Sequence, residues 1–325
     1  RTSDSESEYL GSNPSLAASL SQVRTPKSLF QHSRLRDTVG HMTVVLGQHF
    51  MEGVAVMADC RASLSKSGKI SPWRDNTQKV FFLNPEIILG FAGDIEFAGS
   101  MISFVSHHVT SKPKFGQPHI FFKKVPGVLK YAYGKLCERT GRKPDIAFVI
   151  ASNDLSRNQK VVDKDGKFAG YINITDKIVF KARAPHFTPE LASISKPNVI
   201  IGSGTPGLDD IEKDLFDLQF NVNGGDVTFG AVLSDHALRE NIKKKGIDTV
   251  GGLSQIAVID SKGPRFIPYR GKREPFSDGD LDVEMTIRNN RFVQRDLVTG
   301  KEIELLLPPE VVSIVNQGEE LFADL

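Results

Sequence analysis

Three residues of chemically useful type stand at the ends of apolar runs early in the chain. Thr43 opens TVVLGQHF, Asp59 lies at the close of VAVMADCRA, and Lys79 opens KVFFLN. A threonine hydroxyl is a weak nucleophile and needs a base within reach; an α-amine on the same residue is one such base. The ordinary pKa of that amine, about 7.7–8.0, lies close to working pH, so it can accept and return a proton. The threonine must then be the first residue of a mature chain, which places a cleavage between Met42 and Thr43. An ammonium beside the hydroxyl lowers its proton affinity. Lys79 is assigned that place, and Asp59 the task of orienting the lysine. Gly93, which ends the run IILGFAG, offers a backbone N–H as oxyanion donor, because glycine permits close substrate approach. Each residue alone has a commoner explanation. A threonine at a strand start is a good β-former, an aspartate beside an arginine is a structural ion pair, a strand-end lysine is solvated, and a glycine relieves crowding.

For these residues to meet, the runs that carry them must converge as strands. Residues 43–50 and 54–62 read as a hairpin turned at Met51-Glu52-Gly53, and KVFFLN and IILGFAG as a second hairpin about Asn84-Pro85-Glu86. The stretch between the hairpins, residues 63–78, is polar and reads as a loop. Residues 94–111 carry apolar residues at helical spacing behind Asp94, a good N-terminal residue, and 119–139 predicts a second helix. DIAFVIASN (145–153) predicts a buried strand, and GKFAGYINI (166–174) pairs in this reading with DKIVFKARA (176–184). NVIIGSG (198–204) is a further strand. Helices are predicted near 207–220 and 225–245, the second closed by Lys243, Lys244 and Lys245, where cations meet the negative end of the dipole. SQIAVIDSK and PRFIPY close the core. The class is α+β. Two sheets between two helical layers, a four-layer αββα sandwich, would give every element a partner for its apolar face.

At 325 residues, with 39% hydrophobic and 25% charged, the chain has the composition of an ordinary globular protein with room for appendages. A net charge of +2, with no Lys/Arg stripe interleaved with aromatics, argues against a nucleic-acid partner. No apolar stretch approaches the roughly 18 residues of a membrane span. Two cysteines, Cys60 and Cys137, imply no disulfide framework and suit a reducing, cytoplasmic setting; both read as small buried hydrophobes. The serine-rich residues 1–42 read as a disordered leader, a propeptide or a cloning remnant, with Met42 as an alternative start of translation. Residues 271–325 read as a C-terminal extension of short strands and a final amphipathic stretch, packing on the core or on a neighbouring subunit. The domain between them is 43–270.

In combination, these segments resemble the start of a proteasome-type β subunit, an N-terminal-nucleophile (Ntn) hydrolase. Gly47 and Gly53 give that family's glycine spacing, and Ala58, Asp59 and Arg61 its A-D-x-R motif. Lys79 precedes the Ala92-Gly93 pair, with Gly93 fourteen positions on. IIGSG (200–204) is similar to the central G-S-G strand, which implies Ser203 near the nucleophile, and IDTVGGLSQIAVID to the late D-x-x-S-G-G segment, which implies Asp248 there. The similarity spans about 43–270. It implies a threonine-type peptidase with Thr43, Asp59, Lys79, Gly93, Ser203 and Asp248 as catalytic residues. Ala62, Thr77 and Phe91 would line the primary specificity pocket. It implies peptide or unfolded-protein substrates, autoprocessing and a homo-oligomeric ring, leaves open whether an ATPase partner exists, and calls for no cofactor and no metal. Two positions depart from the pattern. Gly251 stands where a serine is expected, which weakens the network around the threonine amine, and Met42 stands where self-processing relatives carry glycine. A silent structural subunit and an Ntn transpeptidase or ligase are therefore the alternatives.

Other features carry less. Ser203 lacks the G-x-S-x-G elbow of a serine hydrolase, and GTPGLDD lacks the lysine of a phosphate loop. His107 and His108, adjacent on a helix, do not share a face and predict no metal site.

Overall fold

The computed structural model describes residues 43–66, 69–74, 77–154, 158–162, 166–173, 176–193, 195–202, 211, 215, 226–247, 250–251, 254–267, 283–288, 291–296, 301–304 and 322. They form an α+β protein with two antiparallel five-stranded sheets. The first sheet has the order β12 (Asn198–Ile201), β1 (Val45–His49), β2 (Gly53–Asp59), β13 (Ser254–Asp260), β14 (Gly263–Ile267). The second has the order β11 (Glu190–Leu191), β10 (Asp176–Arg183), β7 (Ile146–Asp154), β6 (Ile87–Gly93), β5 (Val80–Asn84). Three helices are described: α1 (Ile95–Ser111), α2 (Pro118–Thr140) and α3 (Val227–Lys244).

The hairpins that bear the candidate residues form as their turn residues predict. β1 and β2 pair with Val45 opposite Ala58 and His49 opposite Val54. At the β5–β6 turn the Asn84 side chain accepts the Glu86 N–H at 2.9 Å, an Asx turn that reverses the chain. Asp94 caps α1 by accepting the Phe97 N–H at 3.0 Å, and Asp226 caps α3 through Thr228 N–H at 2.8 Å. Lys243 and Lys244 lie in the last turn of α3.

Alternation along the strands produces three apolar clusters. Val45, Val56, Ala58, Val80, Ile88, Val149, Val199 and Ala257 join the facing sides of the two sheets. Phe81, Leu89, Phe148 and Phe180 pack with α1 and α2. Leu46, Met57, Ile200 and Val258 pack with Val227, Ala231, Leu238 and Ile242 of α3. The sheets close tightly where two glycines face across: a Cβ on Gly47 would lie 2.5 Å from Val149 Cγ1, and one on Gly90 would lie 2.8 Å from Val45 Cγ1.

Two expectations are corrected. Residues 166–174 do not pair with 176–184. β9 (Phe168–Asn173) pairs instead with β8 (Asn158–Val162), and β10 with β7. Asn158 stands opposite Asn173 in the one pairing, and Asp154 opposite Asp176 in the other. The chain reverses near Gly166, whose φ of +77° is readily adopted by glycine. The polar stretch 63–78 is not simply a loop, since β3 (Ala62–Lys66) and β4 (Lys69–Arg74) pair antiparallel.

The C-terminal region contributes a three-stranded sheet, β15 (Val283–Arg288), β16 (Arg291–Asp296) and β17 (Glu302–Glu304), with β15 running close to β5. Further on, Phe322 is buried in the helix-side core, stacked on His108 at 4.1 Å and edge-on to Phe115 at 4.9 Å. Of the predicted extension, Phe322 and the strand β15 are thus placed against the core. The predicted leader and most of the predicted helix near 207–220 lie outside the described residues, which include only Ile211 and Leu215 of that helix. Among the described residues no helix is long and apolar enough to cross a membrane.

Candidate active site

The site lies where β1, β2 and the start of β5 converge. Thr43 stands two residues before β1. Beyond the last β1–β2 pair, the Val44 N–H donates to Asp59 Oδ1 at 2.9 Å, and the Asp59 N–H reaches the Val44 carbonyl at 3.4 Å. Asp59 is thereby turned across the end of the first strand. Lys79 enters from the other sheet. Its Nζ donates to Thr43 Oγ1 at 2.8 Å, to Asp59 Oδ2 at 3.0 Å and to the Arg61 carbonyl. An ammonium has three hydrogens, and all three are donated. Lys79 is only 1% exposed, Thr43 2% and Asp59 6%, so this ion pair is buried and depends on those partners.

Asp59 has further donors. Oδ2 accepts the Arg61 N–H at 3.2 Å and the Gly251 N–H at 3.4 Å, and the Arg61 N–H also approaches the Gly251 carbonyl at 3.0 Å. The segment carrying Gly251 is thus stitched to the A-D-x-R turn. Gly251 has a steric reason as well: a Cβ there would lie 2.8 Å from both Cζ and Nη1 of the buried Arg61 side chain. On the opposite side, Gly202 backs onto Thr43. Its φ is +126°, and a Cβ would fall 1.6 Å from the Thr43 carbonyl oxygen.

The other predicted residues are placed as follows. Thr77 is buried; its N–H donates to the Cys60 carbonyl at 2.9 Å and its hydroxyl has no hydrogen-bond partner. Ala62 is buried beside Arg61. Phe91 stacks on Phe81 in the helix-side cluster, and its N–H donates to the Lys79 carbonyl at 3.1 Å. Gly93, two residues beyond, has φ +114°, and a Cβ would meet the Asp145 carbonyl at 2.2 Å, so its glycine serves the backbone path. Met42, Ser203 and Asp248 lie outside the described residues. Of the cysteines, Cys60 is buried and burial pushes its thiol pKa well up, which keeps it a protonated thiol; Cys137 is only half-buried, correcting the expectation. Among the described residues no group of three or more His, Cys, Asp or Glu side chains could hold a metal ion.

Two features escape sequence reasoning. Gln255 of β13 accepts the N–H groups of both Lys79, at 2.6 Å, and Val80, at 3.2 Å, through one carboxamide oxygen. Ser254, opposite Asp59 in the β2–β13 pairing, donates to Asp235 Oδ1 at 2.6 Å and accepts from Arg239 Nε at 2.6 Å. Burial raises the Asp235 pKa and Arg239 opposes it. The available signal was a Ser-Gln pair opening the apolar strand SQIAVID.

Chemically, the arrangement holds a threonine oxygen against a fixed cation whose position is set by a carboxylate. Such a cation stabilises negative charge on that oxygen. No protein-family model matches the chain, and no curated protein matches it.

Proposed function

We propose that this chain is a threonine-type peptidase of the proteasome-like Ntn kind, active once the Met42–Thr43 bond is cut. The observation that carries the reading is the buried contact of 2.8 Å between Lys79 Nζ and Thr43 Oγ1, with Asp59 holding the lysine. The freed Thr43 amine takes the hydroxyl proton as Oγ1 attacks a peptide carbonyl carbon, forming a C–O bond and a tetrahedral oxyanion. Gly93 N–H is the proposed oxyanion donor. The C–N bond then breaks, the amine returns the proton to the departing peptide amine, and an ester remains on Thr43. Water, deprotonated by the same amine, releases the carboxylic acid product and restores the hydroxyl. In this scheme the Thr43 amine carries the proton, and Lys79 lends positive charge beside Oγ1.

The three apolar clusters support a four-layer αββα sandwich as the architecture of this enzyme. A homo-oligomeric ring in the cytoplasm, taking peptide or unfolded-protein substrates, is proposed on the resemblance. One observation favours a silent structural subunit instead: Thr43 is 2% exposed.

The test is incubation with a peptidyl epoxyketone, a reagent that captures both the hydroxyl and the amine of an N-terminal threonine, followed by intact mass and peptide mapping. A native chain that begins at Thr43 and is labelled there, with labelling and hydrolysis lost in Thr43→Ala, supports the peptidase. Label elsewhere overturns it, and a native chain with residues 1–42 intact favours the silent subunit. An added amine nucleophile that captures the acyl group would identify a transpeptidase.

A further inference from the structure

We propose that Gln255 is a positioning residue for Lys79, a strut between the two sheets that sets where the lysine cation stands. Its catalytic consequence rests on the peptidase reading; its structural consequence does not.

The argument begins with what surrounds Gln255. It shares a face of β13 with Ala257 and Ile259, both part of the apolar layer between the sheets, and it stands opposite Ala58. A carboxamide placed there loses water and is costly unless it finds a partner. Its oxygen finds two, crossing from the first sheet to take the N–H groups of Lys79 and Val80 at the start of β5, a strand of the second sheet. The Lys79 carbonyl is held from the other direction by the Phe91 N–H at 3.1 Å. The Lys79 backbone is thus gripped on its N–H side by the sheet that carries Thr43 and Asp59, and on its carbonyl side by its own sheet. The side chain then has to bring Nζ to three acceptors, Thr43 Oγ1 among them. A shift of the backbone anchor moves the cation relative to the threonine oxygen. A misplacement of about 1 Å in such a constellation costs on the order of 100-fold in rate.

A purely structural strut would lower stability when removed and do nothing more. Two variants and a control separate the cases. Gln255→Met keeps the length and removes the acceptor; Gln255→Asn keeps the acceptor but retracts it by one carbon–carbon bond, about 1.5 Å. Gln48→Met is the control. Gln48 is a fully buried glutamine at the far end of β1 that donates to Asn198 Oδ1 at 2.9 Å. The readouts are the Nζ resonance of Lys79 in protein labelled with 15N-lysine, assigned by its absence in Lys79→Arg, and the rate constant and pH profile of epoxyketone inactivation. Expected are a displaced Lys79 resonance and a loss of about 100-fold in inactivation rate for Gln255→Met, with an altered pH profile. Gln255→Asn moves the resonance in the same way, and serves if the methionine variant does not fold. Gln48→Met lowers Tm but leaves the resonance and the profile unchanged. A folded Gln255 variant whose Lys79 resonance matches the parent overturns the proposal. If the parent itself is not labelled at Thr43, the peptidase reading fails, while the resonance comparison still decides whether Gln255 positions Lys79.

Discussion

Lys79→Met removes one buried cation while keeping much of the side-chain volume. The acceptors it strands are Thr43 Oγ1, Asp59 Oδ2 and the Arg61 carbonyl. Asp59 retains the Val44, Arg61 and Gly251 N–H groups, but its charge is left without a counter-ion at 6% exposure. Breaking a buried pair from one side costs about 3–5 kcal/mol, and an orphaned buried carbonyl adds about 1 kcal/mol or more. Against a total stability of about 5–15 kcal/mol, the variant folds but only marginally. We expect urea denaturation to show a loss of about 4 kcal/mol with an unchanged slope. Asp59→Asn in the same background removes the stranded charge, so the double variant should be more stable than the sum of the two single losses by about 2 kcal/mol. Strict additivity, or a loss below about 1 kcal/mol for Lys79→Met, would refute the view that the two charges are held by each other.

Three further outcomes are expected. Gly251→Ser pushes its Cβ against the Arg61 guanidinium and costs about 1–3 kcal/mol by thermal melting, which Arg61→Lys in the same chain partly restores. Phe322→Ala empties the site between His108 and Phe115, costs about 3–5 kcal/mol, and speeds amide exchange in the facing turns of α1. The Lys262 hydrogen bond holds the Asp226 carboxyl down at about 2, and the bidentate Arg265 holds Asp260 below its ordinary value. Folded protein therefore binds fewer protons than unfolded protein between about pH 4 and pH 2, and stability falls as pH drops through that window; Asp226→Asn should make the fall shallower in urea melts.

The parts that could be read from the residues are those whose partners are close in sequence or fixed by a turn. Thr43 and Asp59 meet because a short hairpin aligns Val45 with Ala58, and the cap at Asp94 follows from residue type alone. The pairing of β9 was misread because Thr175-Asp176 and the Asp-Lys-Asp-Gly run at 163–166 are both plausible reversals in sequence, and only the long-range pairing of β7 with β10 decides between them. The β3–β4 hairpin was missed because serines and lysines dilute its alternation. Gln255 was invisible for another reason. Its partners lie 176 and 175 residues away, on the other sheet, and no local pattern encodes a contact between layers. The crowding of Gly251 likewise depends on the Arg61 guanidinium, from 190 positions earlier, lying against it.

The closed coordination of the Lys79 ammonium has a consequence for chemical footprinting. A nitrogen that is 1% exposed, donating to three buried acceptors, is out of reach of an acylating reagent. Solvated lysines such as Lys244 and Lys245 should be acylated within the first minutes of exposure, whereas Lys79 waits for the two sheets to part. Its rate of modification then becomes a clock for global opening, read from a single buried residue.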